Sequence, residues 1–204
     1  MEILTFVTTP LMENCVVIVD GKDAMVIDPG EATPELMEAI EGLSVELLIN
    51  THAHLDHVGG NAQVMEKTGA KLLCHRDCTE MLKEATSQGE KYGMQITPSP
   101  APDQFLDEGD TVSVGSVTMK IVNVPGHAPG HIALIGEGFV IGGDVLFAGS
   151  VGRTDLPGGD YDVLMDSIKT KLLPLPDDTV VFCGHGPSTT IGIEKQTNPF
   201  LLSM

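Results

Sequence analysis

The sequence predicts a mixed α/β fold, with some α+β character, in which groups of strands alternate with helices. Short runs rich in valine and isoleucine recur along the chain and end at turn residues, as is typical of strands. Between them lie segments whose apolar residues recur at helical spacing. The 204 residues are enough for one substantial core, and no repeat or linker divides them, so we expect a single domain over residues 1–204.

The chain begins with an antiparallel meander of three predicted strands, at residues 2–8, 14–20 and 24–28. A fourth strand, 45–50, is mostly apolar, which indicates a buried strand. Its carboxyl end leads directly into a loop that contains three histidines. A strand end provides rigid support for such a loop.

Two helices are predicted in this first half. Thr33 is a typical N-cap, Pro34 suits the first helical position, and Gly42 follows the end of the apolar pattern. Asn61 is predicted to cap a second helix, which Gly69 ends. We therefore expect one helix before the fourth strand in the sequence and one helix after it.

A strand at 71–75 and an amphipathic helix around 77–86 come next. The following stretch, 87–104, contains two glycines and three prolines and has no regular period, so it is predicted to be a loop. A loop of this length in a compact domain is either a functional lid or disordered. As a lid, it would present Tyr92 and Met94 to a substrate.

The second half is predicted to hold further strands, at 111–114, 117–124, 132–135, 139–141 and 179–183. Before the last of them, a helix capped by Asp160 should run to about Leu172. Its buried face is predicted to hold Val163, Leu164 and Ile168. The expected order is therefore strands, helices, strands, helix, strand.

Charge and composition exclude several classes of partner. The chain has 29 acidic and 11 basic residues, and its formal net charge of −18 repels nucleic-acid phosphates and anionic membranes alike. No run is long and apolar enough to cross a bilayer, and the N-terminus lacks the pattern of a secretory signal. The four cysteines fit neither a disulfide framework nor a zinc ribbon. We expect a cytoplasmic protein.

The densest group of potential metal ligands follows the fourth strand. Residues 51–57, THAHLDH, contain His52, His54, Asp56 and His57. Imidazole and carboxylate groups suit zinc, iron or manganese. The alternative is a loop of solvated histidines. Four potential ligand residues within six positions make it more plausible that this loop forms half of a metal site.

Three later strand ends supply the other half. Each places a ligand type directly after a glycine, and the three ligands are His127, Asp144 and His185. Six of the seven histidines lie in these motifs or in the first cluster. Seven candidate ligands are too many for one four-coordinate ion, so we predict two divalent metals, held about 3.5–4 Å apart by a shared carboxylate.

This pattern resembles the metallo-β-lactamase-fold hydrolases, and most closely their glyoxalase II-like (hydroxyacylglutathione hydrolase) group. The motifs that carry the resemblance are His-x-His-x-Asp-His at 52–57, Pro-Gly-His at 125–127, Gly-Asp at 143–144, Gly-Ser-Val-Gly-Arg-Thr-Asp at 149–155 and Cys-Gly-His-Gly at 183–186. The resemblance covers nearly the whole chain. It implies a four-layer αβ/βα sandwich of two mixed sheets flanked by helices.

The resemblance also divides the candidate ligands between two ions. One ion would be held by His52, His54 and His127. The other would be held by Asp56, His57 and His185. Asp144 would bridge the two ions, most simply zinc, with iron and manganese as alternatives. His131 would orient a ligand through its ring N–H, which differs little from being a buried, hydrogen-bonded histidine.

Arg153 has two interpretations. It lies where relatives carry a basic residue near the thiol portion of the substrate. It can equally form a structural ion pair with Asp155 or Asp160, as an arginine beside two carboxylates often does.

The implied reaction is hydrolysis of a thioester of glutathione or a similar thiol, for example S-lactoylglutathione to lactate and glutathione. A metal-bound hydroxide would be the nucleophile, with Asp56 and Asp144 as the catalytic carboxylates. A thiol with a pKa of about 8.5 departs as thiolate without a strong acid, whereas an amine does not, so this chemistry favours a thioester over a lactam.

One difference from the family concerns the substrate. Full-length glyoxalase II enzymes carry a C-terminal helical domain that grips glutathione, whereas nineteen residues follow His185 here. The chain resembles a short form, in which segment 87–104 would substitute for that domain. The alternatives are a persulfide dioxygenase with one iron on His52, His127 and Asp144, a hydrolase of another ester or lactone, and a non-enzymatic metal-binding module.

Overall fold

The structure is a computed structural model that describes residues 1–203, and it contains two six-stranded sheets. The strands of the first sheet, in their spatial order, are β1 (Glu2–Thr8), β2 (Glu13–Asp20), β3 (Asp23–Ile27), β4 (Ser44–Ile49), β5 (Lys71–Cys74) and β6 (Gln104–Phe105). Strands β1 to β3 form the predicted antiparallel meander, and β3 to β6 run parallel to one another. The first sheet is therefore mixed.

The second sheet is also mixed. The strands of the second half are β7 (Thr111–Val114), β8 (Val117–Asn123), β9 (Ile132–Gly136), β10 (Phe139–Gly143), β11 (Leu146–Phe147), β12 (Ser150–Val151), β13 (Val180–Cys183) and β14 (Thr189–Thr190). The spatial order of the sheet is β14-β13-β10-β9-β8-β7, while β11 and β12 pair separately. Strands β10 and β13 are parallel, and the other neighbours are antiparallel.

Helices cover the outer face of each sheet. They are α1 (Pro34–Ala39), α2 (Leu55–Val58), α3 (Asn61–Thr68), α4 (Thr79–Lys91), α5 (Tyr161–Ser167), α6 (Ile191–Thr197) and α7 (Pro199–Leu202). Two predicted N-caps are confirmed, because the side chains of Thr33 and Asp160 accept hydrogen bonds from the amides of Leu36 and Val163. A π-helical turn extends α5 to Leu172.

Alternation of side chains along the strands produces the four layers. Ile18 and Ile27 pack between the two sheets against residues such as Ile121 of β8. Their neighbours in sequence point to the opposite face, where they meet α1 and α3. A separate cluster joins the outer face of the second sheet to α5 and α6. The predicted sandwich of two mixed sheets flanked by helices is confirmed.

Helix α4 is longer than predicted, since it includes the first five residues of the predicted loop 87–104. Gly89 lies inside this helix, where a Cβ atom would come within 2.5 Å of the Ile96 side chain. The glycine therefore marks a close contact between Ile96 and the helix and does not end the helix.

Two smaller predictions were wrong. Asn61 does not cap α3, because Gly60 occupies the N-cap position and the Asn61 side chain hydrogen-bonds to Asn50 and Ser99 instead. Val163 is 41% exposed, because the inward face of α5 passes through Leu164 one position later. Among the helices of residues 1–203, none is both long and apolar enough to span a membrane.

Candidate metal centre

The predicted ligands meet at one edge of the two sheets. Strand β4 ends in the loop that carries His52, and the parallel neighbours β10 and β13 end just before Asp144 and His185. Strand β8 leads into the turn that contains His127. Carboxyl ends of parallel strands lie at the same sheet edge, so groups far apart in sequence become neighbours here.

Three histidines form the first cluster. His54 Nδ1 lies 3.1 Å from His52 Nε2 and 2.8 Å from His127 Nε2. His52 and His127 are fully or almost fully buried, and His54 is partly exposed. One nitrogen from each ring could therefore serve a common ion.

The opposite nitrogen of two of these rings shows which nitrogen carries the proton. His127 Nδ1 lies 2.8 Å from the carbonyl oxygen of Arg153, which can only accept, so Nδ1 donates. Thr51 Oγ1 donates to Asp28, and its oxygen is then left to accept from His52 Nδ1 at 3.1 Å. Both rings consequently direct an Nε2 lone pair into the cluster, as metal binding requires.

Asp56, His57 and His185 form the second cluster. His185 Nε2 lies 3.3 Å from Asp56 Oδ2, and its Nδ1 donates to the Met12 carbonyl oxygen at 3.2 Å. His57 Nδ1 donates to Asp28 Oδ2 at 3.1 Å, so its Nε2 also faces inward. Each of these histidines is thus oriented by an acceptor on its outer nitrogen.

The Asp144 carboxylate lies between the two clusters. Its Oδ2 is 3.5 Å from Nε2 of His127 and 3.5 Å from Nε2 of His185. Its Oδ1 is 3.5 Å from Nε2 of His57. Gly184 makes this position possible, because a Cβ atom there would lie 2.1 Å from Asp144 Oδ1.

Two polar atoms at the centre of the site are buried without a hydrogen-bond partner, which bears on whether the residues fit a metal. His57 Nε2 and Asp144 Oδ1 are both buried, and neither has a hydrogen-bond partner within the described part of the chain. Buried polar atoms without partners cost free energy that a bound cation would recover. Imidazole nitrogens and carboxylate oxygens are also the donors that divalent transition metals prefer. The residues present fit divalent metal ions.

Burial keeps the first cluster neutral. It lowers the pKa of His54 to about 4 and holds the pKa values of His52 and His127 below the usual range of histidine. Neutral imidazole is the form that binds a metal. This cluster therefore needs to lose no proton before it binds an ion at neutral pH.

The second cluster behaves differently. Burial opposes charge on His185, but hydrogen bonds to Asp144 and Asp56 outweigh it and raise the pKa of His185 to about 10. Burial likewise opposes charge on His57, and the charge of Asp144 outweighs it, so the pKa of His57 is also raised. In the metal-free protein these rings hold protons that an incoming ion must displace.

Asp28 connects both clusters, although it is not among the predicted site residues. Its carboxylate accepts from the Thr51 amide at 2.7 Å, from Thr51 Oγ1 at 2.5 Å and from His57 Nδ1. Asp28 is 3% exposed and has a left-handed φ of 51°, which is uncommon except for asparagine, aspartate and glycine. It directly follows β3, so it lies at a strand end like the predicted ligands, but Ile27 precedes it, whereas each of the later strand-end ligands follows a glycine.

His131 contacts the centre in an unexpected way. Its ring stacks on His52, with 4.6 Å between centroids and 13° between planes. Its Nε2 accepts a hydrogen bond from the backbone amide of Asp144 at 3.1 Å, rather than donating a ring N–H to a ligand. His131 thereby supports both His52 and the backbone that carries Asp144.

The metal centre opens into a cavity of about 670 Å³, a size typical of small-molecule sites. Leu11, Phe147 and Leu156 give it apolar walls, and Arg153 lies on its lining. The Arg153 guanidinium forms two hydrogen bonds of 2.7 Å to Asp155, not to Asp160, the other candidate partner. One side chain therefore both pairs with a carboxylate and faces the cavity.

Comparison with known proteins agrees with this geometry. Residues 8–185 match the family model described as the metallo-beta-lactamase superfamily. The hydroxyacylglutathione hydrolase GloC of Haemophilus influenzae is 41% identical over 210 residues, which cover 100% of this chain and 99% of that protein. The crystal structure of BLEG-1, described as a B3 metallo-beta-lactamase, is 35% identical and has a TM-score of 0.92, with 98% and 99% of the two chains covered.

The crystal structure of TTHA1623 in a di-iron-bound form is 38% identical and has a TM-score of 0.90, covering 97% of this chain and 100% of that one. These relatives confirm the predicted resemblance to the glyoxalase II-like group and the predicted class of metal-dependent thioester hydrolase. The prediction of divalent metals is confirmed at the level of the family. The chain belongs to the metallo-beta-lactamase superfamily.

Proposed function

We propose that the protein hydrolyses thioesters of glutathione or of a similar small thiol, with S-lactoylglutathione as the representative substrate. The observation that carries this proposal is the position of Asp144, whose two oxygens lie 3.5 Å from histidines of both clusters. A shared carboxylate is the feature that joins two ions into one binuclear site. The relationship to GloC supports the choice of substrate.

The proposed ligands follow the two clusters. The first ion is assigned to His52, His54 and His127. The second ion is assigned to Asp56, His57 and His185. Asp144 is assigned to both, and zinc is the proposed metal, although the di-iron form of TTHA1623 makes iron a serious alternative.

When bound, such ions lower the pKa of water towards about 7 and stabilise negative charge on an acyl oxygen. The chain prepares the site for them. Asp28 and the Met12 carbonyl hold the Nδ1–H groups of His57 and His185, which fixes the direction of both rings. Asp56 lines the cavity, where its carboxylate can accept a hydrogen bond from an entering water and orient it.

The leaving group suits a site without a strong acid. A thiol with a pKa of about 8.5 departs as thiolate without first receiving a proton. A cysteine nucleophile is disfavoured, because all four cysteines are buried and burial raises the pKa of Cys183 to about 12. These observations favour a water nucleophile over a cysteine thiolate.

We place the protein in the cytoplasm, because its four cysteines are free thiols and reduced thiols are typical of that compartment. We treat residues 1–204 as one catalytic domain whose partner is a small acyl-thiol.

A second candidate is the oxygenation of a persulfide by one iron on His52, His127 and Asp144. The di-iron-bound neighbour favours iron in this fold. The complete second cluster, including His185, favours two ions and hence hydrolysis. One iron per chain with oxygen uptake on glutathione persulfide would replace the hydrolase proposal.

The test is a substrate panel with the metal-loaded protein. The panel contains S-lactoylglutathione, a neutral lactoyl thioester of N-acetylcysteamine, a simple lactone and a β-lactam, the last because BLEG-1 is described as a lactamase. We expect S-lactoylglutathione to be cleaved best, with kcat/KM above about 10⁴ M⁻¹ s⁻¹. Protein that holds two ions and releases no thiol from either thioester would refute the proposal.

A further inference from the structure

One face of α4 forms a polar wall of the cavity. Met81, Glu84, Gln88 and Lys91 are spaced three or four residues apart, so they lie along one side of the helix. All four line the cavity, together with Tyr92 directly after the helix. We call Glu84, Gln88 and Lys91 the α4 stripe.

The opposite face of α4 explains why the stripe points outward. Leu82, Ala85 and Gly89 are buried, and Leu82 and Ala85 belong to an apolar cluster with Val58 of α2. An amphipathic helix that packs one face on the domain presents the other face to solvent. The stripe is therefore held against a fixed support, at the mouth of the metal centre.

Lys91 is available to a ligand. Within residues 1–203, it has no carboxylate partner within 4.0 Å, whereas Lys83 on the same helix pairs with Glu80 at 2.6 Å. At the other end of the stripe, Glu84 accepts a hydrogen bond of 3.2 Å from Gln88 and keeps a second oxygen free to accept another. Along the helix, the stripe thus offers a negative charge at Glu84, an amide at Gln88 and a positive charge at Lys91.

The remaining charges limit what can bind. Lys91 and Arg153 are the two basic side chains that line the cavity, and Arg153 is already paired with Asp155. Three carboxylates line it as well, but Asp56 and Asp144 are assigned to the ions, which leaves Glu84 as the carboxylate that can meet the carrier. In a chain of net charge −18, this surface disfavours a carrier with several phosphates. It suits a ligand with one or two carboxylates and a compensating ammonium.

The spacing of the two charges indicates the size of the ligand. Lys91 lies seven positions after Glu84, which corresponds to about 10 Å along a helix axis. An extended chain of three residues spans about 10 Å as well. The ends of a short peptide could therefore reach both side chains at once.

We propose that the α4 stripe binds the thiol carrier of the substrate, and that this carrier is a small zwitterionic peptide thiol whose carboxylate pairs with Lys91 and whose ammonium pairs with Glu84. This inference rests on the proposed thioester hydrolysis. Gln88, between the two charges, donates to or accepts from the peptide backbone. Selectivity for the carrier then comes from α4.

The test compares a zwitterionic carrier with a neutral one. Its measure is the ratio of kcat/KM for S-lactoylglutathione to kcat/KM for S-lactoyl-N-acetylcysteamine. We expect Lys91→Gln and Glu84→Gln each to lower this ratio about tenfold, the loss of one charge-assisted contact. Lys83→Gln, the matched control outside the cavity, should keep the wild-type ratio. An unchanged ratio in Lys91→Gln overturns the proposal, as does wild-type preference for a coenzyme A thioester.

A binding measurement separates this inference from the proposed function. Calorimetry with S-methylglutathione, which cannot be hydrolysed, should give a Kd about tenfold weaker for Lys91→Gln than for the wild type. If the wild type cleaves no thioester but shows this difference, the subsite stands and the proposed reaction fails. If the wild type cleaves thioesters but its Kd for S-methylglutathione equals that of Lys91→Gln, the reaction stands and the subsite fails. If it neither cleaves nor binds, both fail.

Discussion

Asp144 Oδ1 and His57 Nε2 face each other 3.5 Å apart, and neither atom has a hydrogen-bond partner in residues 1–203. The other oxygen of Asp144 lies equally close to His127 and His185. One carboxylate therefore touches both histidine clusters while half of its hydrogen-bonding capacity is unused.

Replacing Asp144 by alanine should remove metal and activity together. Without the shared carboxylate the cluster histidines lose their common negative partner, so we expect kcat/KM for S-lactoylglutathione to fall at least about 100-fold. Metal content per chain, measured after gel filtration, should fall below that of the wild type. Asp178→Ala, at an exposed carboxylate, is the control. Unchanged turnover in Asp144→Ala would remove the bridging role.

Asp28 should control metal affinity through its hydrogen bond to His57. Asp28→Asn keeps the side-chain shape and tolerates the left-handed φ of 51°. Both carboxylate oxygens accept, Oδ1 from the Thr51 amide and Oδ2 from Thr51 Oγ1 and His57 Nδ1, whereas asparagine has one accepting oxygen and must lose one of these sets. We expect metal binding to weaken by about 10- to 100-fold, measured by competition with a chelator. Affinity within twofold of the wild type would show that His57 needs no such partner.

Metal removal should lower thermal stability. An ion present at 100 times its Kd stabilises the folded state by about 2.7 kcal/mol, and each kcal/mol shifts Tm by about 2–4 °C in a domain of this size. Chelation should therefore lower Tm by at least about 5 °C, and added zinc should restore it. A Tm that does not respond to chelation or to zinc would contradict a metal centre built into the fold.

Metal binding should release protons. In the metal-free protein burial disfavours the charged His185, but its hydrogen bonds to Asp144 and Asp56 raise its pKa to about 10, so the ring is protonated at pH 7. The ion competes with this proton, and apparent metal affinity should increase as the pH rises towards 10. The stability of the metal-free protein should change in the opposite direction. Because the pKa of His185 is higher in the folded than in the unfolded protein, its proton stabilises the folded state fully below about pH 6.5, and this stabilisation is lost as the pH rises through about 10.

Calorimetry in buffers of different ionisation enthalpy measures the released protons directly. We expect at least about one proton per chain at pH 7. His185→Gln, which cannot hold this proton, should release fewer. Zero proton release in the wild type would contradict the protonated state assigned to the metal-free second cluster.

Arg153 should affect substrate binding more than stability. The Arg153 and Asp155 side chains are 60% and 68% exposed, and ion pairs in water contribute little to folding. We expect Arg153→Ala to raise KM for S-lactoylglutathione about tenfold with kcat within about twofold and Tm nearly unchanged. Asp155→Ala, which frees the guanidinium, should not raise KM. A lower Tm with wild-type kinetics in Arg153→Ala would instead favour a structural pair.

Local signals predicted most of the elements correctly. The caps Thr33 and Asp160 depend on backbone amides a few residues away, and they lie where predicted. The predicted cap at Asn61 is wrong because the Asn61 side chain donates to Asn50, at the end of β4. The predicted end of α4 is wrong because Gly89 accommodates Ile96 within the helix. In both cases a tertiary contact with a residue outside the helix overrode the local preference. The helices α6 and α7, after the last predicted strand, were not anticipated at all.

The sequence by itself determined which chemical groups are present and that they follow strand ends, because ligand types and apolar periodicity are written residue by residue. Only the tertiary structure decided that Asp144 lies between two clusters, that Asp28 fixes the proton positions of His57, and that the α4 stripe faces the cavity. Those relationships depend on which strands are neighbours and on how closely their carboxyl ends approach one another. The pairing of β10 with β13, for example, brings Asp144 close to His185, and it is a property of the packed sheet rather than of any local segment.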